Sequence, residues 1–277
     1  MHRFLILYGL IFTATLISAK AQVYKPEQNT AFTEGESLKY RVYYQSKVTG
    51  KLTAGIGHLE VHPADTLFDN RSVYHIKGYG RTKGVINWFI KVREHFESFI
   101  DKEALVPHFF YRDTREGNYY KEDKVRFDFH DLKARSWYDT TSITEQTQDI
   151  LSAFYYARNF DFDSITKGDR FHVDYFLDDS LYISAIEFIG YEIIETDYGT
   201  FRCLGFKPKV SVGQVFKEPY PGVLWVTDDK NRLPLLAETE VFVGSVKLEL
   251  IDAEGIRNPE KARFFDKKKT FDKEPER

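Results

Sequence analysis

Two histidines and a glutamate in the segment His58-Leu-Glu-Val-His62 have a spacing that suggests a metal site. On a helix, histidines four residues apart share one face and can bind the same zinc ion. Here Leu59 and Val61 alternate with the polar side chains, which predicts a β-strand. At roughly 3.3 Å per residue, the two histidines of a strand lie about 13 Å apart, too far to share one ion. A solvated strand face is therefore favoured over a metal site.

His172-Val-Asp174 is a second arrangement that could support chemistry. The two polar side chains share one face of a strand, so the carboxylate could orient a catalytic histidine. The sequence has no Gly-x-Ser-x-Gly nucleophile elbow to complete a hydrolase, and no P-loop, dinucleotide fingerprint or Cys-x-x-Cys motif. A polar outer face is the favoured interpretation. We predict no catalytic residue and no cofactor.

Two pairs of adjacent aspartates, Asp178-Asp179 and Asp228-Asp229, could supply calcium ligands. Each pair lies between two strand patterns, where aspartate is an ordinary turn former. Calcium needs six or more oxygen ligands, which neither pair supplies by itself. We therefore predict turns at both positions and no metal site.

Cys203 is the only cysteine of the chain. A single cysteine forms no internal disulfide, so stability must come from the core. It lies in an apparent strand, with no helix N-terminus to lower the pKa of the thiol. A buried, inert thiol is favoured over a reactive thiol or an intermolecular bridge.

One segment, residues 147–158, has helical rather than alternating spacing of its apolar residues. Thr147 is a plausible N-cap, and Asp149 in the first turn suits the helix dipole. We expect one short helix whose sheet-facing stripe consists of Ile150, Leu151, Phe154, Tyr155 and Arg158.

Arg158 lies on that apolar stripe, so its charge needs a partner or a polar cavity. It could form an ion pair that locks the helix to the sheet, with Asp149, Glu192 or Glu195. Alternatively, it could anchor the anionic head group of a ligand. The candidate ligand-binding residues are Tyr155, Arg158 and Trp225.

The first 21 residues predict export. Met1-His2-Arg3 is a short basic start, an uncharged apolar run follows, and Ala19-Lys-Ala21 has the small residues that a signal peptidase recognises. Cleavage is expected between Ala21 and Gln22; an uncleaved N-terminal anchor is the alternative. The residue directly after the predicted cleavage site is Gln22 and not a cysteine, so we expect a periplasmic or secreted protein that is not a lipoprotein and has no transmembrane segment in its mature chain.

The composition indicates β structure. A formal net charge of −3 and a pI near 6.3 argue against nucleic-acid binding, which requires a strongly basic face. The 24 Phe and 18 Tyr favour pleated, half-buried strands. Period-two patterns recur near residues 38–45, 51–62, 71–80, 90–99, 106–113, 119–129, 170–177, 181–195, 200–207, 209–216, 222–228, 233–243 and 245–251.

Short turn signals separate these segments, and short connections imply antiparallel strands. Lys83 to Phe89 is expected to form a second helical turn or a loop flap. From Glu254 onward the alternation stops and charge dominates, so residues 254–277 are expected to be a solvated, partly disordered tail. The domain prediction is a signal peptide (1–21), one antiparallel β domain (22–253) and this tail.

Several motifs resemble the exported bacterial family called domain of unknown function 3108. They are Gly35-Glu36-x-Leu38-x-Tyr40, Asp149-x-Leu151-Ser152-x-x-Tyr155-x-x-Arg158, Gly199-x-Phe201, Trp225-x-x-Asp228-Asp229 and Leu233-Pro234. The resemblance covers roughly Phe32 to Leu250 and implies a periplasmic, mostly antiparallel β protein without an established activity. The architecture is also loosely similar to the curled half-barrel of the lipoprotein-localisation carriers.

The expected fold is mainly β: a large curved antiparallel sheet or open β-barrel, with one short α-helix packed on its concave face. The favoured function is a non-enzymatic binding or carrier module for an apolar or glycan-like ligand of the cell envelope. An envelope hydrolase with a site assembled from distant residues is the alternative. A structural role in envelope assembly, with other envelope proteins as partners, is also open.

Overall fold

The computed structural model describes residues 28–47, 50–209, 222–240 and 245–264. The predicted signal peptide, its cleavage site between Ala21 and Gln22, and most of the strand expected near 209–216 lie outside these residues. The helices are α1 (Ile86–Phe89) and α2 (Ile150–Ala157). The strands are β1 (Ser37–Ser46), β2 (Gly50–Phe68), β3 (Arg71–Thr82), β4 (Val92–Asp101), β5 (Pro107–Glu116), β6 (Tyr119–Asp128), β7 (Lys133–Arg135), β8 (Thr140–Ser142), β9 (Arg170–His172), β10 (Tyr175–Leu177), β11 (Ser180–Tyr182), β12 (Ala185–Thr196), β13 (Gly199–Pro208), β14 (Gly222–Thr227), β15 (Pro234–Glu240), β16 (Ser245–Glu254) and β17 (Arg263–Phe264).

One large antiparallel sheet contains most of these strands, in the order β8-β7-β6-β5-β4-β3-β2-β1-β16-β15-β14-β13-β12-β9. The first half is a meander, because each strand pairs with its neighbour in sequence. The pairing of β1 with β16 joins this meander to the C-terminal half. The hairpin β10–β11 is separate, and β17 pairs with the start of β13. The expected antiparallel, open β architecture is confirmed.

The alternation of side chains gives the sheet an apolar concave face and a polar outer face. On β2 and β3, Val61 and Ile76 pair across the strands and belong to the core. Their sequence neighbours His62 and His75 pair on the opposite face. Register is therefore fixed by the core, since a slip of one residue would bury these histidines.

The short helix α2 packs against both halves of the sheet. Leu151 and Tyr155 belong to the core formed with β2 to β6, whereas Tyr156 belongs to the core formed with β12 to β14. A sheet that contacts opposite sides of one helix must curl around it. The expected helix on the concave face is therefore confirmed, and α1 is the second helical turn expected near Lys83 to Phe89.

The N-cap of α2 differs from the prediction. Asp149, and not Thr147, is the N-cap: its carboxylate accepts hydrogen bonds from the backbone N–H groups of Leu151 and Ser152. The Ser152 hydroxyl in turn accepts from the Asp149 N–H at 2.8 Å, which completes a capping box. Thr147 instead bonds Thr144 in the preceding turn. The helix therefore begins two residues later than the predicted cap at Thr147 implies.

The expectation of a solvated tail from Glu254 onward is wrong for residues 255–264. Asn258 exchanges hydrogen bonds with the buried Asn231, and the Arg263 guanidinium donates to the Tyr198 carbonyl. Ala262 is buried, and its N–H donates to Asp229. Charged residues in this segment serve as specific hydrogen-bond donors, so high charge does not mean disorder here. Residues 265–277 lie outside the described part of the chain.

Candidate functional site

A cavity of about 470 Å³ lies on the concave face, between α2 and the strands β16, β1, β2, β3 and β4. Side chains from the apolar stripe of α2 close it on one side, and the sheet forms its floor. Most of the side chains that line it are apolar; they include Tyr40, Val42, Leu59, Val92, Phe96, Ile150, Leu151, Phe154 and Leu248.

Glycines form the floor of this cavity. Gly55 and Gly57 of β2 and Gly78 and Gly80 of β3 all line it. A Cβ atom added at Gly57 would lie 3.6 Å from the Tyr40 Cβ, and one at Gly78 would lie 3.4 Å from the Leu151 Cδ1. Glycine weakens a strand interior because it has no side chain to pack. Gly55 allows close backbone approach, since an added Cβ would lie 2.5 Å from the Arg81 carbonyl oxygen, whereas Gly57 and Gly80 keep this space open at the expense of packing.

Glu94 is the principal polar group of the cavity. Its carboxylate accepts a hydrogen bond of 2.6 Å from the Thr114 hydroxyl. Burial raises the pKa of Glu94 above its usual value, and the hydrogen bond from Thr114 opposes that shift. The carboxylate therefore carries a proton more readily than a surface glutamate does, which suits an apolar surrounding.

A smaller cavity of about 240 Å³ lies on the other side of α2, against β12 to β14. Its apolar lining includes Phe162, Phe206 and Val226. Ile150 and Phe154 line both cavities and stand between them. Two side chains of one helical stripe thus divide the concave space.

Arg158 is the C-cap residue of α2 and is only 3% exposed. Its Nη1 and Nη2 atoms donate to the two carboxylate oxygens of Glu36, at 2.6 and 2.7 Å. Its Nε donates to the Asn231 carbonyl at 3.0 Å, and Nη2 is 3.4 Å from the Ala31 carbonyl oxygen. The expected partners Asp149, Glu192 and Glu195 are wrong. The guanidinium locks helix to sheet through Glu36, and all three of its nitrogens are engaged.

The other two candidate ligand-binding residues, Tyr155 and Trp225, pack into different parts of the core. Tyr155 is fully buried. The centroid of its ring lies 4.8 Å from that of Phe32 and 5.2 Å from the Arg158 guanidinium carbon. Trp225 lies on the opposite face of β14, because its neighbours Leu224 and Val226 line the smaller cavity. Tyr155, Arg158 and Trp225 therefore do not form one site, and we do not propose them as ligand contacts.

The position of Trp225 depends on a glycine opposite. Gly205 is its cross-strand partner on β13, and a Cβ at Gly205 would lie 2.2 Å from the indole ring. Only glycine lets the indole lie flat against the neighbouring backbone. Trp225 thereby packs against the core that contains the buried Cys203.

The polar pairs identified in the sequence have structural roles. His58 and His62 lie on the outer face of β2, and both approach the Glu60 carboxylate between them, at 3.5 and 3.1 Å. His172 is exposed on β9, whereas the Asp174 carboxylate accepts from the Ser184 N–H. Within the described ranges, no group of three or more His, Cys, Asp or Glu is arranged to hold a metal ion.

Both aspartate pairs occupy turns, as predicted. Asp178 and Asp179 have φ angles of 49° and 58° in the β10–β11 hairpin, and Asp178 pairs with Arg112 and Lys121. Asp229 accepts hydrogen bonds from the Thr227 hydroxyl and the Asn231 N–H, each at 3.0 Å. These carboxylates hold turns and ion pairs together.

Comparison with solved structures shows the same fold in a β-barrel-like protein of domain of unknown function DUF1849 from Brucella abortus. The TM-score is 0.53 at 10% sequence identity, covering 82% of this chain and 100% of that one. A candidate lipoprotein from Parabacteroides distasonis gives 0.36 at 15% identity, over 84% and 99% of the two chains. A candidate exported protein with a YmcC-like fold from Bacteroides fragilis gives 0.33 at 12% identity, over 84% and 99%. No curated protein sequence matches significantly.

The described part of the chain contains no helix with the length and apolar character needed to cross a bilayer. A family model for proteins of unknown function matches residues 39–251. The match runs from β1 to β16 and includes α2. It therefore covers Ile150 and Phe154, which line both cavities. The chain therefore belongs to the family of proteins of unknown function DUF3108.

Proposed function

We propose that this chain is an exported, non-enzymatic protein that binds an apolar ligand of the cell envelope, such as a lipid acyl chain, in the larger cavity. The observation that carries the proposal is the glycine floor. Gly57 and Gly80, which are cross-strand partners on β2 and β3, place no side chain on the floor of an apolar cavity of about 470 Å³. Sites for small molecules are typically concave, mostly apolar and of this size.

An apolar ligand fits the lining better than a glycan does. Recognition of sugar hydroxyls requires several converging polar groups, whereas apolar ligands need only area. Thr82 and Glu94 supply the polar side chains of this lining, because the side chains of His58 and Arg81 lie on the outer face of the sheet. The Glu94 carboxylate is already hydrogen-bonded to Thr114. Neither a hydrolase nor an envelope-assembly role has a comparable observation in its favour among the described residues.

Titration with a dansylated fatty acid would test this proposal. The wild-type protein should bind the probe with a blue-shifted emission that saturates. Gly57→Phe should abolish binding, because the ring would occupy the floor beside Tyr40 and Leu248. Gly57→Ala is the matched control: its Cβ makes only ordinary van der Waals contacts, the nearest at 3.6 Å, so binding should persist.

Thermal melts would show whether each variant folds. Gly80→Leu provides a second obstruction, since an added Cβ there meets only Glu94 side-chain atoms. Native mass spectrometry of protein purified without detergent should reveal an apolar molecule that co-purifies. A folded wild-type protein that ignores the probe, or a folded Gly57→Phe variant that binds it unchanged, would contradict the proposal.

A further inference from the structure

The connection between β3 and β4 holds apolar side chains out in solvent. Trp88 is 86% exposed and Phe89 is 79% exposed, and Val85 and Ile90 are more than half exposed. We call these four residues the apolar tip. Single exposed apolar residues are ordinary on protein surfaces, but four within six positions form a contiguous patch. Such patches mark sites of interaction.

Polar groups hold the tip in a defined conformation. The Arg93 guanidinium donates to the Asn87 side-chain oxygen at 3.1 Å, and the Thr82 hydroxyl donates to the same atom at 3.1 Å. The Thr82 hydroxyl also lies 3.0 Å from the Ile90 carbonyl and accepts from the Val92 N–H. The polar residue of α1 thus points toward the sheet and the aromatic residues point away from it. This is the reverse of the usual arrangement for a soluble protein.

Basic residues surround the base of the tip. Lys83 and Lys91 flank it in sequence and are exposed. Arg81, Arg93 and Arg115 are cross-strand partners in a row over β3, β4 and β5. Like charges opposite each other destabilise a sheet, so this row favours an anion nearby. We call these five residues the basic rim.

The basic rim keeps most of its charge. Asp113 pairs with Arg115, and Glu94 bonds the Thr114 hydroxyl. Among the described residues, neither Arg81 nor Arg93 has a carboxylate partner. The three arginines line an open groove of about 420 Å³ on the outer face, next to the tip.

We propose that the apolar tip and the basic rim dock this protein on a lipid bilayer that contains anionic lipids. Aromatic and aliphatic side chains of the tip would enter the interface between head groups and acyl chains, where tryptophan is favoured. Lysine and arginine of the rim would contact phosphate groups at the same depth. Thr82 and Val92, at the base of the tip, also line the larger cavity. The docking inference does not require that cavity to bind a ligand.

Flotation with lipid vesicles tests the inference. The wild-type protein should float with vesicles of phosphatidylethanolamine and phosphatidylglycerol, and more weakly with vesicles of phosphatidylcholine alone. Raised salt should weaken the first interaction, since screening acts on the rim. Trp88→Ser/Phe89→Ser should lower the partition coefficient about tenfold or more, because two apolar anchors are lost.

The matched control is Trp137→Ser/Tyr138→Ser, which removes a similarly exposed aromatic pair beside Lys124. It should bind vesicles like the wild type. Both pairs are exposed, so both variants should melt like the wild type. The proposal would be overturned if Trp88→Ser/Phe89→Ser floated like the wild type, or if the wild-type protein floated with neither kind of vesicle. Concentration-dependent self-association without vesicles that the same variant abolishes would also overturn it, in favour of a second copy of the chain.

Discussion

Glu36 and Arg158 are separated by 122 residues in the sequence and meet in a bidentate ion pair that is buried on both sides. The pair fixes the end of α2 to the start of β1. Asn231 and Ala31 contribute backbone carbonyls to the same guanidinium. Two parts of the chain, near residues 31–36 and at Asn231, therefore converge on the Arg158 side chain at the end of α2.

Arg158→Ala should lower the free energy of unfolding by about 3–5 kcal/mol, because it leaves the Glu36 carboxylate buried without a partner. Urea denaturation would measure the change. The matched control is Arg170→Ala, which removes an exposed ion pair with Glu187 and should change stability by about 1 kcal/mol or less. Equal effects of the two variants would contradict a structural role for the buried pair. Glu36→Met/Arg158→Met should be less destabilising than Arg158→Ala alone, since no charge remains unpaired.

The N-cap of α2 should make stability depend on pH. Burial raises the pKa of Asp149 from 3.8 to about 6, although hydrogen bonds from Ser98, Ser152 and Leu151 oppose the shift. The folded state therefore holds this proton more tightly than the unfolded state does. Stability relative to Asp149→Asn should fall by about 3 kcal/mol as the pH rises from about 3 to about 7.

Urea denaturation across that range would measure the difference, since asparagine is an equally good N-cap without the charge. The exposed Asp139→Asn serves as control and should show no such trend. A constant difference between wild type and Asp149→Asn would count against the raised pKa.

Cys203 should be inert in the native protein. It is fully buried, and burial raises the pKa of its thiol to about 12. The thiolate fraction at neutral pH is then roughly a thousandfold below that of an ordinary thiol. Labelling with a thiol reagent should be slow until denaturant is added, whereas Cys203→Ala/Thr140→Cys, with an exposed thiol, should label at once. Fast native labelling of the wild type would exclude a core position.

The segment after β16 should contribute to stability. Truncation after Glu254 removes Asn258, Ala262 and Arg263. The side chain of the buried Asn231 then loses its hydrogen bonds to the backbone of Asn258. An unsatisfied buried polar group costs about 1–3 kcal/mol. We expect a melting temperature several degrees lower by calorimetry. Truncation after Phe264 keeps all these contacts and is the control. Identical melting curves for the two truncations would show that the segment does not stabilise the sheet.

The strands could be predicted because alternation of side chains is a local property. The pattern Leu38, Tyr40 and Val42 marks one face of β1 whatever its partner is. The partner of Arg158 could not be derived in the same way, since it depends on residues far away in sequence. The capping box of α2 is local, because Asp149 and Ser152 form it, and these two residues were present in the sequence. The resemblance motifs did contain a signal: Glu36 and Arg158 both belong to them, and so do Asp229 and Leu233 beside Asn231. The larger cavity could not be predicted from the sequence, because it depends on which glycines become neighbours when the strands pair.

The short strands β7 and β8 were missed for a related reason. Each has three residues, too few for two periods of alternation, and the intervening Ser136-Trp137-Tyr138-Asp139 has no glycine or proline to mark a turn. The C-terminal segment was misjudged because composition measures average solvation. Arg263 and Asn258 act through specific hydrogen bonds instead.

The pairing of β1 with β16 has a consequence for biogenesis. A ribosome or an export channel releases the N-terminal half first, so β1 to β8 can form a meander while β1 still has one unpaired edge. That edge remains open until β16 emerges, which lies roughly two hundred residues after β1 in the chain. An open strand edge is a template for aggregation. The seam between the two halves can therefore form only after β16 has emerged, and a nascent or truncated chain lacking β16 keeps that edge open to aggregation.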